Sequence, residues 1–211
     1  GGRLQKDKNV SFGKKVYTFF EDTEHRIWLG TRNHGIVVAT EKEGAFTLQN
    51  FRHDARNPYS LSNDAIYTIC QDTRNRIWIG TLGGGINLFT GFSDNSRFIH
   101  PGNLLKGYPD GLCHKVRSLH CTREGVMLAG TTEGLLSFSD DFVFYHNDCT
   151  GGLSNNDIMD VLESRDGKLY IAAYSGGICL ANTDSLLSTR IHFSYLNKKN
   201  GLPSDLPQAM L

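Results

Sequence analysis

Apolar and polar residues alternate with a period of two along this chain, in short runs cut by turns. In "VYTFFED" (16–22), Val16, Thr18 and Phe20 fall on one side and Tyr17, Phe19 and Glu21 on the other. That is a strand pattern built from β-branched and aromatic residues. A turn, "DTEHR", leads to a second strand, "RIWLGT", then a glycine-containing bend, "RNHG", and a third strand, "IVVAT". A fourth, more variable strand is read in "FTLQNFRH". No stretch carries a helical period longer than a turn or two.

The same series returns. "AIYTICQDTRNRIWIGTLGGGINLFT" follows fifty residues on, with Trp78, Gly80 and Thr81 in the places of Trp28, Gly30 and Thr31. A third copy runs through "KVRSLHCTREGVMLAGTTEGLLSFS" and keeps Gly130 and Thr131, with Leu128 in the tryptophan place. A fourth, "DIMDVLESRDGKLYIAAYSGGICLAN", puts Tyr170 there and Ala172-Ala173 where Gly-Thr stood. His25, Asn75, Gly125 and Gly167 share one turn position, where Gly or Asn suits a φ above zero and His25 is the least comfortable occupant. Fourth strands are expected in "SRFIHPG", "FVFYHN" and "IHFSYLN".

Four short antiparallel strands per copy make the unit of a β-propeller blade. The expected fold is therefore all-β, with about four blades. The blades are 16–65, 66–115, 116–157 and 158–206, with 1–15 ending a preceding blade and 207–211 beginning a following one. One four-stranded sheet cannot bury both faces, so each copy must stack on the next. Repetition of the tryptophan phrase then follows, since every interface needs the same bulky residue and the same close backbone approach. The start, "GGRLQ", reads like the opening of a third strand, and "NGLPSDLPQAML" reads like the loop and first strand of a fifth copy. These ends predict a fragment of a larger propeller, whose cut edges invite pairing with another copy. Closure of the terminal strands into a small four-bladed ring is the alternative.

Residues 65–89, "AIYTICQDTRNRIWIGTLGGGINLF", resemble the two-component regulator propeller repeat, and "NGLPSD" resembles that family's inter-repeat loop. The likeness is strongest over 61–90, good over 16–37 and 153–180, and weaker over 112–138, where Leu128 and the shorter "TTEG" depart from the pattern. The resemblance implies a periplasmic, extracytoplasmic sensor region of a membrane-anchored hybrid histidine kinase and response regulator. It implies an oligosaccharide ligand, a kinase lying outside these residues, and action as a homodimer. On this reading the chain binds and does not catalyse, and it uses no cofactor or metal. A scaffold propeller holding a protein partner is the alternative, and a propeller-fold glycoside hydrolase or lyase a more distant one.

Composition narrows the field. Lys+Arg and Asp+Glu number 22 each, so no global field draws nucleic acid to the 211-residue chain. No apolar run approaches the length of a membrane-spanning helix. The five cysteines include no CxxC pair, and Cys70 and Cys179 sit in apolar runs as small hydrophobes. No GxSxG, HExxH or Walker-type loop is present. His120 shares the position of Phe20 and Cys70 and is expected as a packed, hydrogen-bonded core histidine.

With "VYTFFED" innermost, the bends after second strands and the loops after fourth strands open on one face. That face would gather Arg32, Asn33 and His34, Glu133 and Tyr174 from the bends. From the loops it would gather Asn63, Asp64, His114, Lys115, Asn156 and Asp157. Amides, carboxylates and a ring to stack suit sugar hydroxyls. Asn63, Asp64, Asn156 and Asp157 also read as turn-formers that bond their own backbone. Arg32, His34 and Tyr174 occupy slots filled by other residue types in other copies, and there specificity can be written.

Overall fold

In the computed structural model the described residues are 15–92, 97–109, 111–139, 143–149, 152–188 and 191–207. The expectations for "GGRLQ" and for residues 208–211 lie outside them. The described residues form four antiparallel four-stranded sheets, each in simple up-and-down order. The first sheet is β1 (Val16–Glu21), β2 (Ile27–Thr31), β3 (Ile36–Lys42) and β4 (Ala45–Phe51); the second is β5 (Ile66–Gln71), β6 (Ile77–Thr81), β7 (Ile86–Phe89) and β8 (Phe98–Ile99). The third is β9 (Val116–Cys121), β10 (Met127–Thr131), β11 (Leu135–Phe138) and β12 (Val143–His146); the fourth is β13 (Ile158–Glu163), β14 (Lys168–Ala173), β15 (Gly177–Asn182) and β16 (Ser194–Leu196). Helical structure among the described residues amounts to two short 3-10 turns, at Thr183–Ser185 and Lys198–Asn200. The chain divides into two compact units, 1–105 with the first two sheets and 106–211 with the last two.

Within the first unit one sheet is laid on the next. Trp28, Ile36 and Val38 from one face of the first sheet share a buried core with Ile66, Ile69, Ile77, Ile79 and Phe89 of the second. The Trp28 ring meets Phe89 edge-on at 5.2 Å, a geometry that contributes about 1 kcal/mol beyond the area buried. The second unit repeats the plan, with Leu128 and Leu135 of the third sheet against Ile158, Val161, Leu169 and Ile171 of the fourth. The expectation that Trp28 packs between sheets holds, and Leu128 takes its place where the tryptophan is absent.

The glycine beside that residue serves the same interface. A Cβ on Gly30 would lie 2.7 Å from Ile66 Cγ2, and one on Gly130 would lie 2.7 Å from Ile158 Cγ2. Ile66 and Ile158 open the first strand of the neighbouring sheet in each unit, so the glycine admits that strand against its backbone. The threonine that follows clamps the bend. Thr31, Thr81 and Thr131 donate through Oγ1 to the carbonyls of Gly35, Gly85 and Gly134 at 2.8, 2.9 and 2.7 Å. The same hydroxyls accept the backbone N–H of His34, Gly84 and Glu133.

The shared turn position has positive φ in all four copies: 60° at His25, 62° at Asn75, 84° at Gly125 and 81° at Gly167. His25 is held there by its own strand, with Nδ1 2.7 Å from Glu21 Oε1.

Each first strand also contains a β-bulge near its start. The register shifts between Val16 and Thr18, between Ile66 and Thr68, and between Ile158 and Asp160, and in the third sheet where Val116 meets Thr131. Tyr17, Tyr67 and Met159, with Arg117 at the matching place, are thereby re-aimed out of the simple alternation.

Candidate functional site

The bends and loops expected to carry recognition do lie side by side, unit by unit. In the first unit the bend after β2 is joined to the loop before β5 by a bond from Gly35 N–H to the Asp64 carbonyl, 3.0 Å. The bend after β6 reaches the same loop: a Cβ on Gly84 would meet Ser62 Oγ at 2.3 Å, and one on Gly83 would meet Asn63 Nδ2 at 3.2 Å. Arg32, Asn33, His34, Asn63 and Asp64 therefore share one end of this unit. In the second unit the bend after β14 packs on the loop before β13, with a Cβ on Gly176 placed 2.6 Å from Ser154 Oγ. Tyr174, Asn156 and Asp157 share that end, and Thr132, beside Glu133, bonds through N–H to the Lys115 carbonyl at 3.2 Å.

Much of the polar set is engaged in building the loops. Asn63 Oδ1 accepts the Ala65 N–H at 2.8 Å. The Asp64 carboxylate takes the His53 N–H at 2.7 Å and Arg52 Nη2 at 2.9 Å. Asn156 accepts from the Asp148 N–H at 2.8 Å and donates to the Asp148 carboxylate at 2.9 Å. In the "NGLPSD" loop Asp205 does the work of Asp64, accepting the Lys198 N–H at 2.7 Å while its carbonyl takes the Gly177 N–H at 3.2 Å. Asp157 is the exception. Its own N–H is held by Asn155 Oδ1 at 2.8 Å, so Asn155 is the counterpart of Asn63. Its carboxylate instead receives Arg117 Nε at 2.7 Å and Nη2 at 3.1 Å.

A different set stands out for its geometry. The residue after the bend threonine, or after Ala173, donates its N–H to the carbonyl of the residue just ahead of a first strand. These bonds run from Arg32 to Lys15 (3.1 Å), Leu82 to Ala65 (2.9 Å), Thr132 to Lys115 (3.2 Å) and Tyr174 to Asp157 (2.8 Å). Four backbones are pinned alike and carry four unlike side chains. Arg32 is exposed, and Tyr174 is 50% exposed beside Ser175, whose φ of 55° is unusual for a residue other than glycine. The bulged residues lie on the strands that these carbonyls precede. Tyr17 and Tyr67 meet edge-on at 4.9 Å in the first unit, and in the second Arg117 holds Asp157. Alternation in the sequence did not point to them.

The remaining titratable groups are structural in their surroundings. Ser137 Oγ lies 2.8 Å from His146 Nε2, but the hydroxyl also donates to the Leu186 carbonyl, and burial drives the imidazole down to about 4. That pair ties the loop after β15 to the third sheet. His120 differs from expectation. It is only partly buried, and its Nε2 has no hydrogen-bond partner, the nearest Glu163 oxygen being 3.8 Å away. Burial lowers its pKa in spite of Glu163 and Asp160 nearby. Burial raises the Cys113 thiol to about 11. Among the described residues no three His, Cys, Asp or Glu side chains gather as a metal site. None of the described helices is long and apolar enough to cross a membrane.

Repeated four-stranded antiparallel sheets, joined in sequence order and stacked through a recurring phrase, define a β-propeller repeat protein. The family profile described as "Two component regulator propeller" matches residues 11–33 and 60–83. The fold is similar to the extracellular domain of a putative hybrid two component system from B. thetaiotaomicron. The TM-score is 0.69 at 25% identity, over 97% of this chain and 26% of that one. A second such domain from the same organism gives 0.55 at 19% identity, over 90% of this chain and 32% of that one. The chain thus spans about a quarter to a third of the length of these structures. A catalytically inactive virginiamycin B lyase from Staphylococcus aureus gives 0.59 at 13% identity, over 89% of this chain and 58% of that one, and shares the fold. No curated protein matches the chain.

Proposed function

We propose that this chain is part of the ligand-sensing region of a hybrid two-component signalling protein, on the outer side of the inner membrane. It recognises an oligosaccharide at the bend ends of its sheets and passes the signal to a kinase outside these residues. In this reading the chain binds without catalysing, the parent protein is anchored in the membrane, and it works as a homodimer.

The observation that carries the reading is the set of four equivalent backbone bonds holding Arg32, Leu82, Thr132 and Tyr174. A scaffold that fixes the main chain and varies the side chain is suited to writing specificity, because the side chains can change without disturbing the fold. Arginine offers a planar fork of donors to sugar hydroxyls, and tyrosine offers a ring to stack and a hydroxyl to bond. The likeness to extracellular domains of hybrid two component systems supports the sensing role.

Calorimetric titration of the intact sensor with a panel of short oligosaccharides tests the proposal. Arg32→Ala and Tyr174→Ala are each expected to weaken the bound sugar about tenfold, the loss of roughly 1.4 kcal/mol. Unchanged affinity in both variants, or no saccharide bound by the intact sensor, would contradict it.

A further inference from the structure

The joint between β9 and β13 in the second unit has a polar seam bracketed by two ion pairs. At the bend end Arg117 of β9 forks onto Asp157, just ahead of β13, at 2.7 and 3.1 Å. At the other end Arg123, in the turn after β9, clips the last residue of β13. Glu163 Oε2 accepts the Arg123 N–H at 2.9 Å, and Oε1 accepts Arg123 Nε at 3.1 Å. The same guanidinium donates to the carbonyls of Arg165 and Ser164 at 2.9 and 2.7 Å.

Between the two pairs Ser118 and His120 stand on one side of β9, two positions apart. Three buried side-chain nitrogen or oxygen atoms lack a hydrogen-bond partner among the described residues, and two of them, Ser118 Oγ and His120 Nε2, are in this seam. In the first sheet the equivalent of His120 is Phe20, which packs against the apolar core. A buried polar atom without a partner costs stability, so an imidazole is the poorer filler of this position.

The geometry decides what a proton does here. Neutral His120 can leave Nε2 as a bare acceptor. An imidazolium turns it into a charged N–H that needs an oxygen at about 3 Å. The closest Glu163 oxygen, Oε2, is 3.8 Å away and already holds the Arg123 N–H. The charged groups facing the ring are Glu163 and Asp160 from β13, with Arg123 behind Glu163. The other strand beside β9, β10 (Met127–Thr131), has no titratable residue. The clip and the proton thus contest one carboxylate oxygen.

We propose that His120 is a proton-operated latch on the β9–β13 joint: neutral, it leaves the Arg123–Glu163 clip intact; protonated, it breaks the clip and loosens the joint. Burial outweighs the pull of Glu163 and Asp160 and lowers the His120 pKa. The joint is therefore at full strength above the ordinary imidazole value of 6.5 and weakens as pH falls below it. The Asp157 carbonyl, just ahead of β13, holds the Tyr174 N–H at 2.8 Å, so acid reaches the bend end through the same strands. That consequence for recognition rests on the proposed role of Tyr174; the latch does not, and it is tested without ligand.

Hydrogen exchange of the full-length protein, corrected for the intrinsic pH dependence of exchange, tests the latch. Between about pH 7 and pH 5 the β13 amides should lose about threefold more protection in the native protein than in His120→Phe, which copies Phe20. Both proteins keep His146, so the difference isolates His120. Equal losses would overturn the proposal. Slow exchange at the His120 Cε1 position, followed by mass spectrometry in the unaltered protein, reads its titration with no variant at all. Titration below 6.5 is expected, and titration at or above that value would overturn the latch.

Discussion

The first and second units meet the same demand with different chemistry at the tip of the second strand. In the first unit a buried aspartate opens each turn. Asp22 Oδ2 receives the Trp28 indole N–H at 2.7 Å and Arg26 Nε at 2.6 Å, and its Oδ1 receives the N–H groups of Glu24 and Arg26. Asp72 repeats every one of these bonds with Trp78, Arg76 and Arg74. In the second unit the aspartate is Thr122 or Ser164, the arginine Val126 or Lys168, and the tryptophan Leu128 or Tyr170. Thr122 Oγ1 and Ser164 Oγ keep only the backbone part of the task, accepting the N–H of Val126 at 3.0 Å and of Lys168 at 3.1 Å.

The three changes belong together. A buried indole N–H needs an acceptor, and a buried carboxylate needs donors. Remove the tryptophan and arginine, and the carboxylate becomes a liability that a hydroxyl avoids. The difference teaches that the repeated phrase is a larger unit than tryptophan, glycine and threonine. It includes the aspartate six residues earlier and the arginine between.

The largest expected effect of breaking this comparison is in the first unit. Asp22→Ala strands a buried indole N–H and removes one of the two carboxylates that hold Arg26, and should cost about 3 kcal/mol. Thr122→Ala loses one net hydrogen bond, about 1 kcal/mol. Urea midpoints of the two variants, converted with a common slope, measure the ratio; equal losses would show that the aspartate clip adds nothing.

Acid should separate the units more gently. Burial by itself would raise the pKa values of Asp22 and Asp72, but the bonds from tryptophan and arginine outweigh it and hold both below 3.8. Their contribution is complete above the unfolded value near 3.8 and is lost as pH falls through the lower folded values. Thr122 and Ser164 carry no such dependence. Both tryptophans lie in the first unit. The second unit instead buries His146, whose imidazole is held at about 4, so it loses stability from the ordinary value of 6.5 downward and its amides should open to hydrogen exchange at a higher pH than the tryptophan emission shifts. Coincident transitions would count against the assignment.

Much of this architecture was legible in the chain. Strand alternation, the turn position with positive φ, and the stacking role of Trp28 and Gly30 all follow from residue type and spacing. The clip did not, because Asp22 and Trp28 meet across a hairpin and the alternation of either strand is silent about it. The bulges at Tyr17, Tyr67 and Met159 were equally hidden, since one extra residue leaves the apolar pattern on both sides intact. At the candidate site, Asn63 bonds its own turn as read, whereas the side chains of Asp64 and Asn156 bond the preceding segment, at Arg52 and His53 and at Asp148. The second asparagine of "SNND" obscured that Asn155 is the counterpart of Asn63. Arg32 and Tyr174 were visible as departures from the repeat, but their shared backbone bond required coordinates.

Transplanting one unit's solution into the other tests most directly that the repeat works as a coupled set of residues in equivalent surroundings. The variant Asp22→Thr, Arg26→Val, Trp28→Leu gives the first sheet the third sheet's residues, and its urea unfolding is compared with the three single variants. Coupling predicts that the triple variant retains at least about 2 kcal/mol more stability than the summed single losses. A triple loss equal to that sum would contradict it, and would reduce the recurring phrase to independent contacts.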